Sequence, residues 1–173
     1  SYPRRRSNEE ASDRIIILED QDGDGSFETH KVFADNLNLI SGFEVGYGGV
    51  FAACAPEFLF IPDANGDDKP DGPPEVLLDG FALRDTHETP NSFLWGHDGW
   101  LYGCHGVFNN SLVGKPGTPK EERVDLQAGI WRFHPVTHDF EIYAHGGSNQ
   151  WGLGYSADGS LFITHCRSSW GLG

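Results

Sequence analysis

The sequence predicts an all-β chain made of repeated four-stranded units, and three observations carry that reading. A glycine-centred phrase occurs three times, as Gly48-Gly49-Val50-Phe51-Ala52-Ala53-Cys54, as Asp98-Gly99-Trp100-Leu101-Tyr102-Gly103-Cys104, and as Asp158-Gly159-Ser160-Leu161-Phe162-Ile163-Thr164-His165-Cys166. Its marker glycines, Gly49, Gly99 and Gly159, stand 50 and then 60 residues apart, the spacing of stacked supersecondary units. Short apolar runs alternate with Gly, Pro, Asn and Asp turns throughout, and helical periodicity is absent. Each phrase is a tight turn followed by an aromatic-rich strand, which is one edge of a β-hairpin. Together these features predict a β-propeller. A propeller closes with at least about four blades of roughly 40 to 50 residues, so 173 residues supply about three and read as a fragment.

The elements follow in order. Residues 1–13 read as a solvated tail. Residues 14–40 form the outer half of one blade, with Arg14-Ile15-Ile16-Ile17-Leu18 and Lys31-Val32-Phe33 flanking an acidic turn. Residues 41–85 form a full blade with strands at 41–45, 50–54, 57–61 and 75–78. Residues 86–147 form a second, with strands at 92–96, 100–105, 129–134 and 140–144. Residues 148–173 start another through strands at 151–155 and 161–165. Such a fragment leaves sheet edges open, which predicts poor stability in isolation.

The net charge of −14, from 26 acidic and 12 basic residues, opposes binding to nucleic acids or anionic membranes. Arg4-Arg5-Arg6 is the one basic run and reads as part of the solvated tail. No stretch approaches the ~20 apolar residues of a membrane span, so direct insertion by this segment is not expected. No signal peptide is visible. Cys54, Cys104 and Cys166 recur at similar places in successive units, which predicts small buried strand residues, with a disulfide between inner strands as the alternative.

The meander of a blade sorts the loops by face. The loop entering the first strand and the loop between the second and third lie on one face, and the other two turns lie opposite. On the first face fall His87, Asn91, His105, Ser148, Asn149, Gln150 and His165, with a long insertion over 107–128 of the kind that is functional or mobile. On the opposite face fall two acidic turns. Asp20, Asp22 and Asp24 with Glu28 set carboxylates at alternate positions around a glycine bend, as a calcium loop does. Asp63, Asn65, Asp67 and Asp71 form a second copy. Neither is an EF-hand, and a solvated hairpin tip explains the same residues.

His87 precedes an innermost strand, where it faces the mouth of the central channel. A neutral imidazole there can accept the proton of a bound hydroxyl group, and a histidine that only bonds the loop backbone is the simpler alternative. His105 and His165 end two second strands on the same face, at a spacing that fits no metal motif.

These residues carry a family resemblance. His87, before Trp95-Gly96-His97-Asp98-Gly99-Trp100-Leu101-Tyr102, resembles the soluble quinoprotein glucose and sorbosone dehydrogenases. The phrases Leu18-Glu19-Asp20-Gln21-Asp22-Gly23-Asp24-Gly25, Gly129-Ile130-Trp131-Arg132-Phe133-His134-Pro135 and Ser148-Asn149-Gln150-Trp151-Gly152-Leu153 are similar to the large dehydrogenase-like propeller proteins of planctomycetes, which often carry a cytochrome c domain downstream. The resemblance implies a six-bladed propeller that oxidises a sugar or alcohol, with His87 as general base. It implies pyrroloquinoline quinone held near Asn91, His105, Asn149, Gln150, Trp151 and His165, a cytochrome c as electron acceptor, and, together with the calcium read from the acidic turns, a periplasmic or secreted location. Ser148 stands where the sugar dehydrogenases place an Arg. A non-catalytic propeller that binds carbohydrate or a protein partner is the alternative.

Overall fold

A computed structural model describes residues 1–166, and they form an all-β structure of antiparallel sheets. Strands β1 (Asp13–Glu19) and β2 (Thr29–Leu37) pair as a two-stranded sheet. β3 (Gly42–Gly46), β4 (Gly49–Cys54), β5 (Glu57–Pro62) and β6 (Glu75–Asp79) follow as a four-stranded meander. β7 (Asn91–Trp95), β8 (Leu101–His105), β11 (Gly129–Phe133) and β12 (Phe140–His145) repeat that order. The excursion between β8 and β11 carries its own short hairpin, β9 (Ser111–Val113) and β10 (Val124–Leu126). β13 (Gln150–Tyr155) and β14 (Leu161–His165) pair as a final two-stranded sheet. The predicted strands therefore appear with their ends shifted by a few residues at most. No helix among the described residues is long and apolar enough to cross a membrane.

The sheets stack face to face, and strand alternation assigns each side chain to a layer. In β4, Val50, Ala52 and Cys54 pack with Ile15, Phe33 and Leu37 of the first sheet. Their neighbour Phe51 points the other way, into a layer with Phe58, Phe81, Trp131 and Phe133. Every residue of β4 is consequently buried. In β8 the same division sends Leu101 toward that layer, and Tyr102 and Cys104 toward Leu153, Leu161 and Ile163 of the last sheet. Edge-to-face contacts at 5.5 Å (Phe58 on Trp131) and 5.4 Å (Phe93 on Trp131) order the central layer.

Burial pushes the Cys54 and Cys104 thiols up to about 12, so both are unreactive packing residues, and all three cysteines are free. Cys166 departs from expectation: it lies one residue past β14, outside the packed sheet, and is exposed.

The N-terminal segment is exposed along most of its length, yet it is docked on the sheets. The Asn38 side chain, buried behind β2, donates to Arg6 O (2.9 Å) and accepts from Arg6 N (3.2 Å). Thr86 Oγ1 donates to Pro3 O at 2.7 Å. The insertion is likewise packed rather than loose. Asp79 and Gly114 exchange backbone hydrogen bonds, Arg123 pairs with the Asp79 carboxylate, and Val113 and Leu126 are fully buried.

Candidate functional site

His87 lies in a short 3-10 turn, Thr86–Glu88, just before β7. Asp85 caps that turn, and its Oδ1 accepts both the His87 backbone N–H (2.9 Å) and ring Nδ1 (3.0 Å). Nδ1 therefore carries the proton, and the lone pair of Nε2 is turned outward on an exposed ring. The edge of Tyr2 packs on the ring at 5.5 Å between centroids.

The start of the insertion holds this turn in place through four bonds. Gly106 N donates to Glu88 O (3.2 Å), and Phe108 N donates to the Glu88 carboxylate. Asn109, fully buried, donates to Asp85 O (2.8 Å) and accepts from Asp85 N (2.9 Å). A Cβ on Gly106 would meet the Glu88 side chain at 2.4 Å, so only glycine permits this approach. Burial raises the Glu88 carboxyl above its usual range, against the opposing pull of the Phe108 N–H.

The other predicted ligand-facing residues divide. Asn91 is fully buried: its amide donates to Thr89 O (2.9 Å) and its oxygen accepts from Ser92 Oγ (2.8 Å). His105 is also fully buried. Its Nδ1–H faces Gly106 O (2.9 Å) and Gln127 O (2.5 Å), and Nε2 accepts from Ser111 Oγ (2.8 Å), which itself accepts from Ala82 N. Burial lowers its pKa and keeps the ring neutral. Asn91 and His105 therefore tie the loops to the sheet and have no polar atom left for a ligand.

Gln150 and His165 sit opposite each other where β13 begins and β14 ends. Among the described residues, Gln150 Oε1, His165 Nδ1 and the neighbouring Ser148 Oγ are buried without a hydrogen-bond partner. Such atoms cost roughly 1–3 kcal/mol each when left unpaired, which marks a second polar focus. Asn149 is half-buried and accepts from the exposed Trp151 indole at 2.5 Å. None of these six side chains carries a fixed positive charge, and two are locked inside the scaffold, so they do not fit an anionic quinone. Arginines do stand beside His87: Arg4, Arg5 and Arg84 line a cleft of about 600 Å³ with Asp85, Thr86 and His87. Sequence reasoning missed Asp85, Asn109 and this tail. Only Asp85, two residues before His87, left a local signal.

The acidic turns lie at the other sheet ends, since antiparallel order puts the β1–β2 and β5–β6 connections opposite the start of β7. Asp20, Asp22, Asp24 and Glu28 converge, with oxygens all within 4.8 Å of one another. Asp63, Asn65, Asp67 and Asp71 repeat the loop position for position. Gln21 N donates to Glu28 (2.7 Å) as Ala64 N donates to Asp71 (2.6 Å), and Gly23 and Gly66 share the left-handed bend (φ 78° and 67°).

No curated protein and no solved structure matches the chain. One family model matches residues 1–171, nearly the whole sequence, and on that match the chain belongs to the family described as a domain of unknown function (DUF7133).

Proposed function

We propose that this chain is part of a β-propeller, six-bladed in the complete ring, that oxidises a sugar or alcohol with His87 as general base. The observation that carries the reading is the Asp85–His87 pair, which leaves Nε2 as a free acceptor beside a polar cleft. In the step proposed, the hydroxyl proton of the substrate passes to His87 Nε2. The hydrogen on the same carbon leaves as hydride to a two-electron acceptor, and a carbonyl remains. Asp85 stabilises the imidazolium formed, and the bonds from Asn109 keep Asp85 in register. A cytochrome c in the periplasm is the onward electron acceptor in this reading, and a calcium ion in the first acidic turn stiffens the far end of the ring.

His87→Ala tests it, with dye reduction measured on a panel of sugars and alcohols, with and without added pyrroloquinoline quinone. The expected result is a loss of about 10²–10⁴-fold in turnover with ligand binding retained. Unchanged turnover would remove His87 from the chemistry. A second reading, a non-catalytic carbohydrate-binding propeller, is favoured by the absence of any cation among the six cofactor positions. It takes over if no acceptor supports turnover of any substrate while sugars still bind.

A further inference from the structure

The cleft beside His87 is cationic in a chain whose net charge is −14. Arg4 and Arg84 are exposed and Arg5 is half-buried. Among the described residues, no carboxylate lies within ion-pairing distance of any of the three. Arg5 meets only neutral acceptors, Asn8 Oδ1 (3.1 Å) and Asn38 O (3.4 Å). The one carboxylate lining the cleft, Asp85, is committed to His87 through Oδ1. Three arginines thus line the cleft with one carboxylate, although acidic residues outnumber basic ones by more than two to one in the chain.

The segment that carries Arg4 and Arg5 is also docked. The backbone that carries Arg4 and Arg5 is tied down on both sides, by Thr86 Oγ1 at Pro3 O and by Asn38 at Arg6. Thr86 and His87 are adjacent, so the bond that seats the basic segment also sets its distance from the candidate base. A guanidinium without a carboxylate partner beside a cleft is available to an oxyanion, which it takes as a two-pronged, charge-assisted hydrogen bond. The cleft's size suits a monosaccharide, and its lining mixes polar with apolar surface, as a sugar ring does.

We infer that this cleft recognises a sugar acid: Arg4, Arg5 and Arg84 bind the carboxylate, and a ring hydroxyl of the same molecule faces His87 Nε2. The hydroxyl's placement rests on the reading of His87 as a base, whereas the recognition of the carboxylate does not.

The test is direct binding, by titration calorimetry on the protein, of glucuronate against glucose. Glucuronate is expected to bind at least about tenfold tighter than glucose, and to weaken as salt is raised. Arg84→Gln and the pair Arg4→Gln/Arg5→Gln are each expected to lose at least about tenfold in glucuronate affinity with glucose binding unchanged. Their melting temperatures report whether the fold survives, and Arg84→Lys, which keeps the charge, is expected to recover part of the affinity. His87→Ala is expected to keep the preference for glucuronate even where turnover is lost, which separates this inference from the assignment of the base. Equal affinity for the two sugars, or glucuronate binding that survives all three Arg→Gln changes, would overturn it. So would binding of pyrroloquinoline quinone on the same three arginines far more tightly than glucuronate, since the cleft would then belong to a cofactor.

Discussion

Glu88 is the residue whose burial has the clearest consequence in solution. It is 1% exposed, and its carboxyl is held above its usual range by desolvation. Because the folded-state pKa is raised, the folded chain holds this proton at a pH where the unfolded chain has released it. Its contribution is fully present below the unfolded value of about 4.3 and is lost as pH rises through the raised folded value. Glu88→Gln keeps an oxygen to accept the Phe108 N–H and removes the ionisation. The variant's stability, measured by denaturant titration at several pH values, is therefore expected to gain on the native chain as pH rises from about 4 toward neutrality. The difference between the two curves is the readout, because carboxylates such as Asp20, lowered chiefly by the Gly25 N–H, give the native curve an opposite slope. A constant difference across that range would show that Glu88 does not hold its proton on folding.

At this scale the sequence was only partly legible. His87 was visible from its place before a strand. The ties that make it usable run from Asn109 to Asp85, 24 residues apart, and from the basic segment to Asn38 and Thr86, 32 and 83 residues away. Side-chain bonds across such distances leave no periodic trace, so a docked segment read as a solvated one. Asn91 and His105 misled for the converse reason. A polar residue at a strand end looks the same in sequence whether it faces a ligand or a buried carbonyl.

Elements were far more readable, because a strand packed on both sides and bounded by glycine turns advertises itself in a few residues. β4 and β8 follow from the repeated phrase alone, and β1 and β5 follow from the acidic turns that end them. The hairpin β9–β10 was invisible: three residues per strand are too few to show alternation, and it is held by tertiary contacts such as Arg123 with Asp79. The two acidic turns carry a prediction of their own. Four carboxylates converging in the first turn repel one another, and a calcium ion would relieve that repulsion. The second turn has Asn65 and the shorter Asp71 at matching places, and its Asp68 is paired with Lys31 at 2.9 Å. Calcium at about a hundred times its dissociation constant is expected to stabilise the chain by ~2.7 kcal/mol through the first turn. Asp22→Asn with Asp24→Asn should abolish that rise in melting temperature, and Asn65→Asp should leave the native response intact. A melting temperature indifferent to calcium would leave the turn a solvated hairpin tip.

For the molecule as a whole, the stacking order has an edge at each end. β5 and β11 each pair with the second strand of their sheet, β4 and β8. β1 matches β5 by its acidic turn, yet among the described residues its one partner is β2. β14 matches β4 and β8 by its glycine phrase, and its one partner among the described residues is β13. Each edge therefore offers unpaired backbone groups beside apolar side chains: Ile16 and Leu18 on β1 are 50% and 48% exposed, and Phe162 on β14 is 63% exposed. The ring proposed above would cover both, since a second-position strand is what β1 lacks and a third-position strand is what β14 lacks. Left open, such edges recruit other chains. The 173 residues alone are expected to associate increasingly with concentration in sedimentation velocity, and to melt broadly. Ile16→Lys on β1 and Phe162→Lys on β14 place charges at the two edges, and each is expected to shift the population toward monomer, the pair more than either alone. A native chain that stays monomeric at high concentration and melts sharply would mean that the edges are already covered, and the proposed ring would lose its structural motive.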